Sequence, residues 1–162
     1  GFGPFYEAEL RSADAIVKSI QDVLTPGSVL LVTADHGQVM VGTNTLPPNP
    51  EVLAMTAYQS GEGRFRWLHA RDGVQVELLA RASTHHADVA WVVSKEQVID
   101  ENWLGPRLGP ATRKRLGDVA LVPRDPISFD DVGDTGPFLL QCRHGALTDD
   151  ELDVPLLATA VK

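Results

Sequence analysis

The segment 29–37 reads Val-Leu-Leu-Val-Thr-Ala-Asp-His-Gly. Its first five residues, Val29 to Thr33, form an apolar, mostly branched run bounded by turn residues, which predicts a strand buried on both faces of a parallel sheet. The strand ends directly before Asp35 and His36. Because ligands of α/β sheets bind at the carboxyl ends of the strands, these two side chains are well placed to act on a ligand.

A carboxylate oxygen and an imidazole nitrogen suit zinc or manganese. Gly37 would let the backbone turn tightly, so that the side chains of Asp35 and His36 converge. The tripeptide is short enough to occur by chance, and a plain polar turn after a strand remains the alternative. The buried strand in front of it gives a site about as much support as the plain turn.

The residues before this strand predict a helix from Phe5 to Leu24. Apolar side chains recur there at steps of three and four, and Pro26-Gly27 closes the helix. The stripe consists of Leu10, Ala13, Val17, Ile20 and Leu24. Helix, short turn and buried strand together predict the α/β fold class.

The segment Thr43 to Pro50 is rich in Pro and Asn and predicts a surface excursion that ends this first block. The chain beyond it has an α+β pattern with a turn at residues 60–63. Helices are expected at Gln75–Thr84, Lys95–Asn102 and Ala111–Leu116, and strands at Val52–Ala57, Phe65–Ala70, Val89–Val93, Val119–Val122, Phe138–Gln141 and Val154–Ala160. We expect three parts: residues 1–50 with helix, strand and Asp-His-Gly motif, an inserted α+β subdomain at 51–130, and a return to the core at 131–162.

A second polar loop follows an apolar run at 143–152, which reads Arg-His-Gly-Ala-Leu-Thr-Asp-Asp-Glu-Leu. Thr148 three residues before Glu151 is a capping-box spacing that predicts the start of a short helix. His144 is therefore a candidate third metal ligand. The alternative is a loop histidine bonded to a backbone carbonyl group.

Other polar side chains have simpler explanations. Arg64, Arg66 and Arg71 could meet a substrate phosphate through bidentate contacts, but a solvated strand face is the favoured interpretation. The pair His85-His86 is expected at a solvated helix end, because adjacent histidines diverge and chelate poorly.

Composition limits the classes of function. The 162 residues suffice for one domain, and the 43% apolar and 22% charged content is that of a globular protein. The 14 Lys and Arg against 22 Asp and Glu give a net charge of −8, which argues against a nucleic-acid-binding surface or an anionic membrane. If the protein binds a phosphate group, metal ions are expected to supply the positive charge that attracts it.

Location is addressed by three features. The longest apolar stretches, 28–34 and 154–161, fall short of the roughly 20 residues that span a bilayer, so no membrane segment is expected. Gly1-Phe2-Gly3-Pro4 has no initiator Met and no signal-peptide pattern, so we expect a piece of a longer chain. The single Cys142 fits a reducing compartment, and we expect a cytoplasmic protein.

The motifs Val32–Gly37, His144–Glu151 and Val154-Pro155-Leu156-Leu157 together resemble the alkaline phosphatase superfamily, in particular its nucleotide pyrophosphatase/phosphodiesterase branch. The resemblance implies a three-layer α/β sandwich and two divalent metal ions, usually zinc, with manganese as the other choice. It implies that Asp35 and His36 ligate one ion and that His144 ligates the other. The middle of the chain, with segments 60–68 and 115–119, is similar to the insertion of bacterial members.

The same resemblance shows what the sequence lacks. Members of this family have an upstream strand with a metal-binding Asp, a Thr or Ser nucleophile, and an Asp and His just before a Gly-Pro that opens a helix. Here the chain begins at that Gly3-Pro4, so the nucleophile is expected upstream of Gly1. The chain is expected to be the C-terminal part of the enzyme, and to be inactive alone.

The implied reaction is a two-metal phosphoryl transfer, with ions roughly 4 Å apart, on a small phosphodiester or nucleotide substrate. Three alternatives stay open within the superfamily: a phosphomonoesterase, a sulfatase or a phosphoglycerate mutase. A non-catalytic binding or assembly module is the alternative outside it. Because a sheet cut open exposes unpaired strand edges, self-association of the chain is also expected.

Overall fold

The computed structural model describes residues 1–134 and 140–161. The order of helices and strands is α1 (Pro4–Val23), β1 (Val29–Thr33), β2 (Val39–Met40), β3 (Thr45–Leu46), α2 (Pro50–Met55), β4 (Thr56–Glu62), β5 (Phe65–Ala70), α3 (Gln75–His86), β6 (Ala90–Ser94), α4 (Lys95–Asp100), α5 (Pro110–Arg115), β7 (Val119–Pro123), β8 (Ser128–Phe129), β9 (Cys142–Arg143), α6 (Asp149–Leu152) and β10 (Leu156–Ala160). The α/β fold class is confirmed.

Helix α1 and strands β1 and β10 form what we call the edge unit (residues 4–33 and 156–160). Strand β1 pairs antiparallel with β10, from Val29 opposite Ala160 to Thr33 opposite Leu156. The prediction of a parallel strand buried on both faces is therefore wrong for the described residues: side chains alternate in exposure along β1, and Leu31 is 60% exposed. No residue of α1 is buried, although its apolar stripe has the predicted spacing.

The middle of the chain forms what we call the sheet unit (residues 50–123). Its four strands lie in the order β4-β5-β7-β6, and every neighbouring pair is antiparallel. Helices α2 and α3 contact the strands and cover one core cluster, in which Leu68, Leu78 and Leu121 are fully buried. A second cluster lies around Trp67 and Val98, and Trp91 and Trp103 pack against it. The sheet unit therefore supplies most of both core clusters, and Phe129 and Ala146 from later in the chain complete them.

Two predictions fail at the start of the sheet unit. Residues 50–55 are helix α2 and not the start of a strand. Pro50 stands at the first turn, where its missing N–H costs nothing, and the Asn49 side chain accepts a hydrogen bond from the Glu51 N–H at 2.8 Å. The turn expected at 60–63 lies later, because β4 continues to Glu62 and the hairpin reverses at Gly63 and Arg64.

Two short strand pairs connect the remaining segments. Strands β3 and β8 are parallel, with Thr45 opposite Ser128, so the excursion predicted at 43–50 contains a paired strand. Strands β2 and β9 are antiparallel, with Val39 opposite Arg143. The predicted strand Phe138–Gln141 begins outside the described residues, and residues 140–141 are not in a strand.

None of the helices in the described part of the chain is long and apolar enough to cross a membrane.

Candidate metal site

The pairing of β2 with β9 brings the two predicted motifs together. In an antiparallel pair, the residues just before Val39 lie beside those just after Arg143. The imidazole rings of His36 and His144 stack there, with centroids 3.6 Å apart and ring planes 15° apart. Two histidines separated by 108 positions in the sequence are thus direct neighbours in the fold.

The hydrogen bonds of His36 define its tautomer. Its Nδ1 lies 2.6 Å from the Gly37 carbonyl oxygen, and because a carbonyl can only accept, Nδ1 carries the proton. In the neutral ring this leaves a lone pair on Nε2, which lies 3.7 Å from Oδ2 of Asp35. The other carboxylate oxygen of Asp35 accepts the backbone N–H of His36 at 3.1 Å.

These features fit a carboxylate and an imidazole that together ligate a divalent metal ion. A metal-binding imidazole commonly donates its second ring N–H to a carbonyl or carboxylate, which fixes the ring and leaves the opposite nitrogen for the ion. The Asp35 side chain is 90% exposed and that of His36 is 42% exposed, so both are open to an incoming ligand. Within residues 1–134 and 140–161, however, no group of three or more His, Cys, Asp or Glu side chains is arranged to hold a metal ion. The donors that the structure describes are a partial set.

Gly37 has a different role from the one predicted. It was expected to allow a tight turn, but it does not adopt a positive φ angle. A Cβ atom at this position would lie 2.0 Å from the Asp150 carbonyl oxygen, and the Gly37 N–H donates to the Glu151 carbonyl at 2.9 Å. Glycine is required here because the Asp35-His36 loop lies directly on the backbone of α6.

The capping-box spacing correctly located a short helix but not its contacts. Helix α6 begins at Asp149, and the Thr148 hydroxyl donates to the Glu151 carboxylate at 2.5 Å instead of accepting a backbone N–H. Burial would raise the pKa of the Glu151 carboxyl, but hydrogen bonds from Arg64, Thr148 and the Ala146 N–H together hold that pKa below its ordinary value.

The interpretation of two arginines as a solvated strand face is wrong. Arg64 and Arg66 are fully buried. Arg64 pairs with Glu151, and Arg66 pairs with Asp134. Their carboxylate partners lie 87 and 68 residues further along the chain, so no local sequence signal marks these pairs. Arg71 alone of the three is exposed, as predicted.

The histidine pair at the end of α3 is only partly as predicted. His86 is buried and its Nε2 accepts the Asn49 N–H at 3.1 Å. Burial lowers its pKa below the ordinary value of 6.5, and the charge of neighbouring His85 lowers that pKa further. His86 therefore belongs to the core of the sheet unit.

Comparison with known structures identifies the fold. The phosphonoacetate hydrolase of Sinorhizobium meliloti, in complex with phosphonoformate, matches with a TM-score of 0.61 and 18% identity over 82% of this chain and 36% of that one. Murine ectonucleotide pyrophosphatase/phosphodiesterase 5 matches with a TM-score of 0.62 and 15% identity over 90% of this chain and 37% of that one. The human protein of the same name matches with a TM-score of 0.60 and 15% identity over 90% of this chain and 37% of that one.

The chain has the fold of the C-terminal part of these hydrolases. The predicted resemblance to the nucleotide pyrophosphatase/phosphodiesterase type of the alkaline phosphatase superfamily is thereby confirmed as a fold. The chain spans a little over a third of the length of the proteins that it matches. No protein-family model matches the sequence, and no curated protein matches it either.

Proposed function

We propose that this chain supplies part of the metal site of a metal-dependent phosphoric ester hydrolase that cleaves phosphodiester or pyrophosphate bonds. One observation carries the proposal: the stacked imidazoles of His36 and His144, beside the Asp35 carboxylate, occur in a chain with the fold of such hydrolases. Asp35 and His36 would ligate one ion, and His144 would ligate its neighbour. The two ions, zinc in this proposal, are expected to neutralise developing charge on the phosphoryl oxygens when bound.

The chain's own residues have binding and orienting roles in this proposal. The protonated Nδ1 of His36 is held by the Gly37 carbonyl, which keeps Nε2 available as a donor. Neither Asp35 nor a histidine is proposed as the nucleophile. Because the matched proteins are much longer, we propose that the nucleophile and the remaining ligands lie upstream of Gly1 and that these 162 residues are inactive alone.

Zinc binding by the chain itself tests the ligand assignment. We expect competition titration against a chromophoric chelator to show zinc uptake by the wild-type chain, and about tenfold or greater weakening in Asp35→Asn and in His144→Ala. His85→Gln, a matched histidine on α3, should leave uptake unchanged. Equal zinc uptake by all four proteins would overturn the assignment.

Hydrolysis of bis(nitrophenyl) phosphate tests the location of the nucleophile. With zinc added, the chain is expected to give no turnover. Activity that Asp35→Asn abolishes would mean that the nucleophile lies within these 162 residues.

Phosphonate hydrolysis is a second candidate function. The matched phosphonoacetate hydrolase is seen with phosphonoformate and with phosphonoacetate, and the matched murine enzyme is seen, as an inactive variant, with AMP. The two substrate classes differ in the bond broken, a carbon–phosphorus bond in one and an oxygen–phosphorus bond in the other. Release of phosphate from phosphonoacetate by the longer protein, without cleavage of diesters, would favour the second candidate.

Two further expectations from the sequence, on location and on the division of the chain, are part of the proposal. A cytoplasmic location and the division at residues 50 and 130 are proposed from the sequence. A non-catalytic binding or assembly module is the competing interpretation. It predicts that Asp35→Asn and His144→Ala alter neither folding nor association, and that the chain takes up no zinc specifically.

A further inference from the structure

Glu151 contacts both loops of the candidate metal site. Its backbone carbonyl accepts the N–H of Gly37, the residue that follows His36, at 2.9 Å. Its carboxylate oxygen Oε1 accepts the N–H of Ala146, two residues after His144, at 2.9 Å. One residue thus fixes the two backbone segments whose histidines stack.

The carboxylate of Glu151 is itself held rigidly. Its side chain is 1% exposed, and it accepts Nε and Nη2 of Arg64, each at 2.7 Å, in a bidentate pair. The Thr148 hydroxyl donates to the same carboxylate. With Ala146, four donors surround the two oxygens, so the carboxylate has one orientation.

Arg64 anchors this arrangement in the sheet unit. It stands in the turn between β4 and β5, and its side chain is fully buried. Its remaining N–H groups donate to the carbonyls of Ile127 at 2.7 Å and Asp125 at 2.8 Å, in the segment that follows β7. Ala146 also packs into the second core cluster, beside Trp67 and Ala120.

The geometry points to Arg64 and Glu151 as positioning residues of the metal site, through which the sheet unit sets the distance between His36 and His144. This inference rests on the proposed function, since it gives the sheet unit a part in metal affinity. A buried ion pair adds little stability over an apolar pair of equal size, so stability alone does not account for its geometry. The pair aligns backbone groups of two loops whose other backbone connection includes the two-residue strands β2 and β9.

The test compares two ways of changing the pair. Glu151→Gln removes the charge and keeps the size of the side chain. Because it leaves Arg64 buried without a counter-charge, a second variant replaces both partners by apolar residues, Arg64→Met with Glu151→Leu. Asp134→Asn is the control, since it alters the ion pair of another buried arginine, Arg66, which donates to Gly61 and Phe129 instead of either loop.

Two readouts are needed, and the first requires no metal. In the metal-free protein, NMR shifts of the His36 and His144 ring protons report their stacking. A variant is counted as folded if its spectrum stays dispersed. In the folded variants of the Arg64–Glu151 pair, we expect the ring-current shift that each histidine causes in the other to disappear. In Asp134→Asn we expect it to persist. The second readout is zinc affinity, expected to fall about 10- to 100-fold in the same variants, the usual effect of removing groups that orient metal ligands.

The outcomes separate this inference from the proposed function. Unchanged stacking and unchanged zinc affinity in a folded pair variant would overturn the positioning role, even if the wild-type chain binds zinc at Asp35 and His144. Absence of zinc uptake by the wild type would instead overturn the proposed function, while the ring shifts would still decide whether the pair positions the two histidines.

Discussion

The sheet unit and the edge unit contain similar apolar residues in different surroundings. In the sheet unit Leu68, Leu78 and Leu121 are fully buried between strands and helices. In the edge unit Leu31 is 60% exposed and Leu157 is 63% exposed. An apolar run therefore predicts a strand, but its burial depends on what lies beside it.

The largest expected effect is on the Arg64–Glu151 ion pair, which joins the sheet unit to α6. Arg64→Met leaves the Glu151 carboxylate buried without its partner, and we expect a loss of about 3–5 kcal/mol in the free energy of unfolding. Urea unfolding at pH 7 measures it. Arg71→Met is the matched control, because this exposed arginine makes a hydrogen bond to the Ala54 carbonyl, and its loss should cost no more than about 1 kcal/mol. Similar losses in both variants would contradict the assigned role of burial.

The second-largest effect tests the difference in burial between the sheet unit and the edge unit. Leu121→Ala removes a fully buried side chain from β7, and we expect a loss of about 2–5 kcal/mol in the free energy of unfolding. Leu31→Ala in β1 is the same chemical change at an exposed position, and it should cost less than about 0.5 kcal/mol. If Leu31→Ala costs as much as Leu121→Ala, the edge unit is covered in solution.

Self-association is one way in which the edge unit would be covered. Leu31 and Leu156 lie on one face of the β1–β10 pair, since Leu31 is opposite Ala158 and Thr33 is opposite Leu156. Light scattering after size exclusion is expected to show mass increasing with concentration for the wild-type chain. Leu31→Lys with Leu156→Lys should weaken the association about tenfold or more, because burying either leucine is worth about 1.5–3 kcal/mol.

Val76→Lys is the control for this prediction, because Val76 is also exposed, at 84%, but lies on α3 of the sheet unit. A wild-type chain that stays monomeric at all concentrations would contradict the predicted self-association.

The smallest expected effect is a dependence of stability on pH. The pKa of Glu151 is lower in the folded protein than its ordinary value of 4.5, so the unfolded chain binds a proton more readily. The stabilisation is therefore complete above about pH 5.5 and is lost as the pH falls below 4.5 through the folded pKa. The difference in unfolding free energy between the wild type and Glu151→Gln should shrink over that range, as followed by urea unfolding. A constant difference down to pH 3 would contradict it.

Local patterns in the sequence were sufficient for most helices and strands. The predicted helix at 5–24 and the strands at 65–70 and 119–122 agree with the structure to within a residue or two, because their side-chain periods are local properties. Residues 52–55 were misassigned, since an apolar run of that length is compatible with a helix or a strand, and the Asn49 cap and Pro50 decided for the helix.

The sequence by itself determined the fold class, the helix and the strand that precede the first motif, and the chemistry of Asp35, His36 and His144 as candidate ligands. Only the tertiary structure decided that β1 is antiparallel to β10 and partly exposed, that His36 stacks on His144, and that Arg64 is buried against Glu151. The reason is physical: residue type and period reflect short-range preferences, whereas burial and ion pairing depend on segments that are far apart in the chain and meet only when it folds.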